Sequence, residues 1–334
     1  MQIKQDLKDI WKDLLSDHGE GEFYVERTIN ISPLEIKLRI QKPLDKYSIV
    51  ILSDSSSFSN LGVLTKNKYF RVIEKNEINK RALVVELNDN MFSDEFILFS
   101  SIILDIAKNS ATEDDAISTI AEKLKQFEKF ISSTTKKFNF EKRMGLIGEL
   151  YFMENFLLKN LDVLECVNSW KGPHNSSHDF IFNNFRFEIK SSSNDTNTVK
   201  ISSLNQLDPN EKNLFMVRNH ITENNNLGIT IDEMIKTIDK KILLVSNELS
   251  LQFHSLVRQY GYAVEEEKEY SNFKYILSGR DFYQIDKDFP SINKNNAPVG
   301  IIHASYDLDL NSCSKWLTNE ELVKNKTFKK NAEH

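Results

Sequence analysis

The spacing of hydrophobic residues predicts one helix and then a series of strands in the first third of the chain. Residues 1–17 repeat apolar side chains at helical intervals around Trp11. From Phe23 to about Phe99 the pattern is mostly that of strands: "LEIKLRI" alternates apolar and polar residues, and "YSIVIL" is almost continuously apolar. We therefore predict a β-rich N-terminal domain over residues 1–105.

Helical and strand-like patterns alternate in the rest of the chain. "EDDAISTIAEKLKQFEKFIS" begins with acidic residues and carries lysines later, an order that the helix dipole favours. A second helix is predicted from about Glu141 to Lys159, and a strand around Val163–Val167. With the helices and strands that follow, these segments predict a mixed α+β or α/β fold, with a core at residues 106–245 and a C-terminal α/β region at residues 246–334.

The segment "HDFIFNNFRFEIKSSS", residues 178–193, predicts a tight hairpin. Asn183-Asn184 tolerates the positive φ of a two-residue type I′ turn, and the resulting register places Asp179 opposite Glu188. Because strand side chains alternate with a period of two, Lys190 shares their face. Opposed carboxylates destabilise a hairpin unless something offsets their charge, so the register predicts a bound divalent cation. Solvated charges on an exposed face are the alternative.

The helix "EKRMGLIGELYFMENFLL" carries Glu149 in the middle of an apolar stretch. A carboxylate that faces packing residues needs a partner or a metal ion. Gly145 and Gly148 lower the intrinsic stability of this helix, which indicates that another backbone or a ligand approaches it closely. A buried Glu–Arg pair is the alternative explanation for Glu149.

Composition narrows the class of protein. The 334 residues are 40% hydrophobic and 28% charged, as in ordinary globular proteins. A net charge of −6 disfavours a passive nucleic-acid coat but not an enzyme whose carboxylates bind metal. Cys166 and Cys313 lack CxxC partners and no long apolar run occurs, so we expect a cytoplasmic protein without a cysteine zinc site or a membrane span.

An acidic helix residue, an Asp on one strand and Glu-x-Lys on the next resemble the PD-(D/E)xK nuclease superfamily. The pattern is more closely similar to the family DUF4420, whose members are assigned to that superfamily. The similarity lies in "GLIGELYFM", "SWKGPHNSSHDF" and "FEIKSSS", and extends to "DFPSI" and "PVGIIHASYDLDL". The chain departs from the superfamily pattern in one place, because His178 stands where Pro would precede Asp179. The resemblance implies a restriction-endonuclease-like core, a mixed sheet flanked by helices.

The resemblance also implies catalytic roles for the matching residues. Asp179 and Glu188 would hold Mg²⁺, which prefers carboxylate oxygens and which Mn²⁺ is expected to replace, with the Ile189 carbonyl as a further ligand. Glu149 would hold a second ion or a water bound to the metal. Lys190 would orient or deprotonate the attacking water and offset charge in the transition state.

Weaker candidates flank these residues. Ser191 and Ser192 extend the strand beside the site and could contact phosphate, but ordinary strand residues are as good an interpretation. Gln206 follows the next strand, where some superfamily members carry a helper polar residue. Lys171 and His178 lie on the Gly-Pro loop before Asp179, which could cover the site; a surface position is the alternative.

On this resemblance we expect a Mg²⁺-dependent DNA endonuclease that acts in restriction or phage defence. DNA is the expected partner, with a possible homodimer and separately encoded ATPase or methyltransferase partners. A catalytically silent nuclease fold that serves as a DNA-binding or scaffolding subunit is the first alternative, and a different metal-dependent hydrolase is the second. No Walker A, GxGxxG or GxSxG motif occurs, so nucleotide hydrolysis and serine-hydrolase chemistry have no support.

Overall fold

A computed structural model describes the chain in two compact units. The first consists of Met1–Thr134 and Ser246–Ser255, and the second of Thr135–Val245 and Leu256–His334. This division differs from the three domains expected from the sequence, since residues 106–134 belong to the first unit and residues 256–334 to the second. The residues that the structure describes are 2–53, 58, 69–77, 80–132, 138–174, 176–193, 195–224, 226–262 and 270–328.

Among its described residues, the first unit contains a five-stranded antiparallel sheet of order β1-β2-β3-β5-β4, three complete helices and the first part (residues 247–255) of a further helix. Its elements are α1 (Gln2–Ser16), β1 (Phe23–Ile31), β2 (Leu34–Lys42), β3 (Lys46–Ser53), β4 (Phe70–Glu77), β5 (Lys80–Leu87), α2 (Ser93–Asn109) and α3 (Glu113–Ser132).

The apolar stripes of the three helices complete the core of the first unit. Trp11 of α1, Phe99 of α2 and Phe127 of α3 are all buried in one cluster with the inward residues of the sheet. Phe99 stacks on Phe127 with ring centroids 4.3 Å apart. Because α3 buries its apolar face here, it belongs with this sheet and not with the elements that follow it.

The second unit contains a mixed five-stranded sheet of order β12-β10-β9-β7-β6, in which only β7 and β9 run parallel, and a small antiparallel sheet of β8 and β11. Its elements are α4 (Phe140–Phe152), α5 (Val163–Ser169), β6 (Phe180–Phe182), β7 (Phe185–Ser192), β8 (Thr198–Ile201), β9 (Leu214–Asn224), α6 (Ile231–Leu243), the end of α7 (Asn247–Tyr260), β10 (Lys274–Gln284), β11 (Tyr306–Asp309), β12 (Leu317–Thr318) and α8 (Glu320–Phe328). The predicted mixed α+β class is thus confirmed.

One prediction for the segment after α4 needs correction, for a physical reason. The predicted strand at Val163–Val167 is wrong: these residues begin α5, and the Asp162 side chain caps it by accepting a hydrogen bond from Glu165 N at 2.8 Å. A short apolar run does not distinguish a strand from a buried helix, whereas the capping residue does. The helix that we predicted from about Glu141 to Lys159 is observed as α4, which ends at Phe152, followed directly by a π-helical turn over Met153–Leu157.

The hairpin has the predicted register but a different turn. Phe180 pairs with Phe187 and Phe182 with Phe185, so the strands match the expected alignment. Asn183 has a φ of 51°, but Asn184 has no positive φ, whereas a type I′ turn requires one at both positions. The register therefore follows from the aromatic face of the hairpin as much as from its turn. No helix among the residues described here is long and apolar enough to cross a membrane.

Candidate active site

Asp179 is held at the start of the hairpin by four hydrogen bonds. Its main-chain N–H donates to Phe187 O at 3.1 Å, and its carbonyl accepts from Lys171 N and Gly172 N at 2.7 and 3.0 Å. The side-chain Oδ2 accepts from the main-chain N–H of Ile189 at 2.7 Å. The carboxylate is thereby fixed against β7, next to the residue that precedes Ile189.

That neighbouring residue is Glu188, which lies almost completely buried in the middle of β7 with 2% of its surface exposed. Lys190 Nζ lies 2.9 Å from Glu188 Oε1 and also donates to Gln206 Oε1 at 3.2 Å. Glu188 Oε2 has no hydrogen-bond partner among the described residues. A buried carboxylate oxygen without a hydrogen-bond donor destabilises the metal-free folded state, and a bound cation would remove that penalty.

Glu149 projects from α4 toward the same place and is also buried. Its Oε2 accepts a hydrogen bond from Trp170 Nε1 at 2.6 Å, and its Oε1 accepts one from the Tyr260 hydroxyl at 2.7 Å. The indole of Trp170 stacks on the Tyr260 ring at 6.3 Å between centroids. The alternative of a buried Glu–Arg pair is therefore wrong, because two neutral aromatic donors hold this carboxylate.

Three glycines leave room for this arrangement. A Cβ on Gly172 would overlap Glu149 Oε2 and lie 3.3 Å from Asp179 Oδ1, so both carboxylates face the same point. A Cβ on Gly145 would overlap the Tyr260 hydroxyl, and one on Gly148 would overlap Ser191 Oγ. The close approach expected at α4 is thus made by side chains of α7 and β7.

Burial raises the proton affinity of all three carboxylates, and the charge of Asp179 adds to the effect on Glu188 and Glu149. Burial raises the pKa of Asp179 to about 6, although the Ile189 N–H and Lys190 oppose the shift. Burial, and then the charge of Asp179, raises the pKa of Glu188 to about 8, and Lys190 offsets only part of this. Burial and Asp179 also raise the pKa of Glu149 well above its usual range. The site therefore gathers three carboxylates around Lys190, whose charge offsets only part of the effect of burial.

The donor set suits a hard divalent cation with retained water. Within the described ranges, no group of three or more His, Cys, Asp or Glu side chains is arranged to hold one metal ion together. Mg²⁺, however, is commonly bound through one or two carboxylates, with water completing its octahedron. Asp179 and Glu188, with the unpartnered Glu188 Oε2, offer that smaller set. Both oxygens of Glu149 already accept hydrogen bonds from protein donors. The metal contact expected of Glu149 stays a prediction.

The sequence matches one family model over residues 7–311, described as "Putative PD-(D/E)XK family member, (DUF4420)". The chain belongs to this family. Neither a curated protein nor a solved structure matches it. The description of the DUF4420 family points to a nuclease, and the mixed sheet with its flanking helices is compatible with a fold of the PD-(D/E)XK type.

The weaker candidates of this DUF4420 member occupy different positions. Gln206 contacts Lys190 directly, and its Oε1 also accepts from Ser202 N at 2.7 Å. Ser192 accepts a hydrogen bond from Arg218 Nε at 2.8 Å. Ser191 Oγ is buried against Gly148 and has no hydrogen-bond partner among the described residues. Gln206 is therefore placed to orient Lys190, while the two serines support neighbouring segments.

Lys171 and His178 lie on the loop before Asp179, and their predicted part in covering the site stays a prediction. Lys171 contributes its main-chain N–H to the Asp179 carbonyl. His178 is buried with 1% exposure, and burial lowers its pKa, so the ring is neutral near pH 7. The charged groups that influence it are those of Glu211, Arg186 and Asp208, away from the predicted metal ligands.

Sequence reasoning missed the residues that support the site from a distance. Trp170 and Tyr260 hold Glu149, and Asn219 Nδ2 donates to the Gly148 carbonyl at 2.9 Å, which ties α4 to β9. Asn219 is fully buried and accepts from Arg280 Nε at 2.8 Å. A polar residue inside the apolar strand "LFMVRNHI" was a usable signal for Asn219, whereas nothing in the local sequence marks Tyr260.

Substituting Gly172 with alanine is expected to destabilise the protein by about 1–3 kcal/mol, because a Cβ would displace the buried Glu149 carboxylate. The measurement is the free energy of unfolding in urea. Gly279→Ala is the control, since its Cβ would meet nothing closer than 3.7 Å. In a Glu149→Ala background the cost of Gly172→Ala should shrink. An equal cost in both backgrounds would contradict this packing explanation.

Proposed function

We propose that the protein is a Mg²⁺-dependent endonuclease that hydrolyses phosphodiester bonds in DNA. The observation that carries the proposal is the combination of the partly buried Asp179, just before β6, with the buried Glu188 of β7, which Lys190 contacts. Membership of a family described as PD-(D/E)XK supports it. We further propose that β6, β7 and β9 with α4 form a restriction-endonuclease-like core.

Asp179 and Glu188 would hold the metal ion, with the Ile189 carbonyl as a third protein ligand. When bound, Mg²⁺ would supply positive charge next to the scissile phosphate and make a water more acidic. Mn²⁺ should serve as well, since it accepts the same oxygen donors. The protein's own part is to keep the two carboxylates opposed, which the hydrogen bonds of Asp179 to Phe187 and Ile189 support.

Lys190 would act on the nucleophile. An ammonium group has three N–H donors, and Glu188 Oε1 and Gln206 Oε1 take two of them. The third donor is left for a water or a phosphoryl oxygen. Lys190 would orient the attacking water and stabilise the negative charge that develops on phosphorus-bound oxygens. Gln206 would keep its ammonium group in position.

Glu149 would assist as a hydrogen-bond acceptor. Each carboxylate oxygen can accept a second hydrogen bond after those from Trp170 and Tyr260. Because Gly172 leaves Glu149 and Asp179 open to one another, a water between them could donate to both. In this role Glu149 would fix water in the site without binding the metal directly.

A catalytically silent DNA-binding or scaffolding subunit is the second candidate. One observation favours it: protein donors already occupy both oxygens of Glu149, as in a structural buried carboxylate. Against it stands Glu188, whose Oε2 lacks a donor in the described part of the chain. A purely structural site would gain stability by replacing such a group with an apolar one.

The biological setting rests on the resemblance alone. We propose a cytoplasmic enzyme of restriction or phage defence, with DNA as substrate and no membrane association. A single centre cuts one strand, so cleavage of both strands would need a homodimer or two binding events. Separately encoded ATPase or methyltransferase partners are part of the same proposal.

The direct test is cleavage of supercoiled plasmid by the purified protein with Mg²⁺, with Mn²⁺ and with EDTA. We expect nicked or linear DNA only when a divalent metal is present, and none with Glu188→Gln, which keeps the shape of the side chain and removes its charge. Metal-dependent cleavage by Glu188→Gln at the wild-type rate would refute the proposal. DNA binding by both proteins without cleavage would favour the silent subunit.

A further inference from the structure

An exposed loop in the second unit carries aliphatic side chains at its tip. It connects β10 to β11, and Val299, Ile301 and Ile302 form what we call the apolar tip. Their exposed fractions are 106%, 48% and 95%, so two of them are as open to solvent as an extended chain allows. Single exposed aliphatic residues need no explanation, but three within four positions are unusual on a folded surface.

The loop is braced by its own hydrogen bonds. Asn293 is buried, its N–H donates to Asn296 Oδ1 at 2.7 Å, and its carbonyl accepts from Ala297 N at 2.9 Å. At the tip, Ile301 N donates to Pro298 O at 3.0 Å across a turn in which Gly300 has a φ of 92°. The aliphatic side chains are thus presented to solvent by an ordered turn.

The base of the loop lies beside the candidate active site. Ile292 N donates to the Tyr306 hydroxyl at 3.1 Å, and Tyr306 pairs with Ile201 on β8. The next residue after Ile201, Ser202, donates its N–H to Gln206, the partner of Lys190. Lys190 also influences the pKa of Tyr306. The end of the loop at Tyr306 is therefore linked through β8 to Gln206, which holds Lys190.

Chain length limits how far the tip can extend from that base. Ile302 precedes Tyr306 by four residues, so their Cα atoms lie no more than about 14 Å apart. This length corresponds to roughly four base-pair steps of about 3.4 Å. Because Lys190 lies close enough to Tyr306 to act on its pKa, a duplex with a phosphate at Lys190 would pass near the base from which the apolar tip extends.

The tip half of the loop carries no carboxylate, whereas Asp286 and Asp288 lie near the start of the loop and Asp307 follows its end. Residues 289–306 contain no Asp or Glu, although the chain has 49 of them among 334 residues. Lys294 and His303 are exposed in the same segment. A phosphate backbone that approaches the apolar tip would therefore meet no carboxylate within residues 289–306.

We propose that the apolar tip is a DNA wedge: Val299, Ile301 and Ile302 enter the minor groove of the bound duplex and press between base steps near the scissile phosphate. Aliphatic wedges of this kind unstack a step and bend the duplex, and the bend increases the contact between protein and DNA. The proposal deepens the proposed nuclease function and rests on it. In this proposal the protein recognises the shape and deformability of the DNA next to the site, and not the hydrogen-bonding pattern of its bases.

The test uses one protein that carries both Val299→Ser and Ile302→Ser. Its affinity for a duplex of about 30 base pairs is compared with that of the wild type. Fluorescence anisotropy with Ca²⁺ in place of Mg²⁺ gives Kd at several salt concentrations. We expect the double variant to bind about tenfold more weakly at every salt concentration, with an unchanged slope of log Kd against log salt. Lys294→Ala should instead reduce that slope by about one.

The control is Leu227→Ser with Leu244→Ser, which removes exposed aliphatic side chains of the same unit outside the loop. It should bind as wild type does. If the tip variant also keeps wild-type affinity, the wedge is refuted while the nuclease proposal stands. If the tip variant converts a dimer to a monomer in sedimentation without weakening DNA binding, a second copy covers the tip and the wedge is again wrong. Failure of the wild type to bind DNA would overturn both proposals.

Discussion

Lys190→Ala is expected to lower the rate of DNA cleavage by about a hundredfold to ten-thousandfold, while the protein still responds to metal. The loss follows from removing the only ammonium group that contacts Glu188 in the described structure, and with it the group that orients water. The metal response should persist, because Lys190 is not a ligand. Mg²⁺ at a hundred times its Kd would stabilise the folded state by about 2.7 kcal/mol.

Two further variants make this expectation specific. Asp179→Asn should lose both cleavage and metal-induced stabilisation, since it removes a proposed ligand. Lys200→Ala is the matched lysine control: its side chain on β8 is 61% exposed, and its loss should change neither quantity. The measurements are single-turnover cleavage and thermal melts with and without Mg²⁺. Cleavage at the wild-type rate by Lys190→Ala would exclude lysine-assisted chemistry at this site.

The hairpin and its facing helix could be predicted because their determinants are local. The aromatic face of "FIFNNFRFEI" and a period of two fix which side chains share a surface, and the structure has that register. Glu149 stood out as a charge in an apolar helical stretch, and it lies toward Asp179 as expected. These predictions needed only the spacing of residues that are close in sequence.

The supporting residues could not be predicted because they come from distant segments. Tyr260 reaches Glu149 across 111 positions, and no periodicity within α7 distinguishes its hydroxyl from any other. The type I′ turn was wrong because Asn183 alone adopts positive φ. The three-part domain division differed for a similar reason: which sheet buries the apolar face of α3 depends on tertiary packing, not on its own amphipathic pattern.

Without metal, the stability of the protein is expected to fall as the pH rises from about 4 to about 8. In the unfolded chain Glu188 loses its proton near 4.5, but in the fold its pKa is about 8; Asp179 likewise rises from 3.8 to about 6. The folded state therefore binds more protons than the unfolded state between these values. Stability is full below the unfolded pKa and declines through the folded one.

Other carboxylates titrate over the same range, so the useful quantity is the difference between wild type and Glu188→Gln. The glutamine does not titrate, and it should make the metal-free protein more stable than wild type at pH 8 by roughly a few kcal/mol. The two proteins should have similar stabilities near pH 4.5, where wild-type Glu188 is protonated in the fold. Urea unfolding at both pH values with EDTA gives the comparison.

Mg²⁺ should reverse this pH dependence in the wild type alone. A cation between Asp179 and Glu188 favours their charged forms, so binding releases protons and becomes stronger as the pH rises. The metal-induced rise in Tm should therefore be larger at pH 8 than at pH 5, and absent in Glu188→Gln at both. If wild type is insensitive to Mg²⁺ and Glu188→Gln is strongly destabilised at pH 8, then Glu188 is a structural ion-pair partner of Lys190. In that case the site does not bind metal, and the nuclease proposal loses its chemistry.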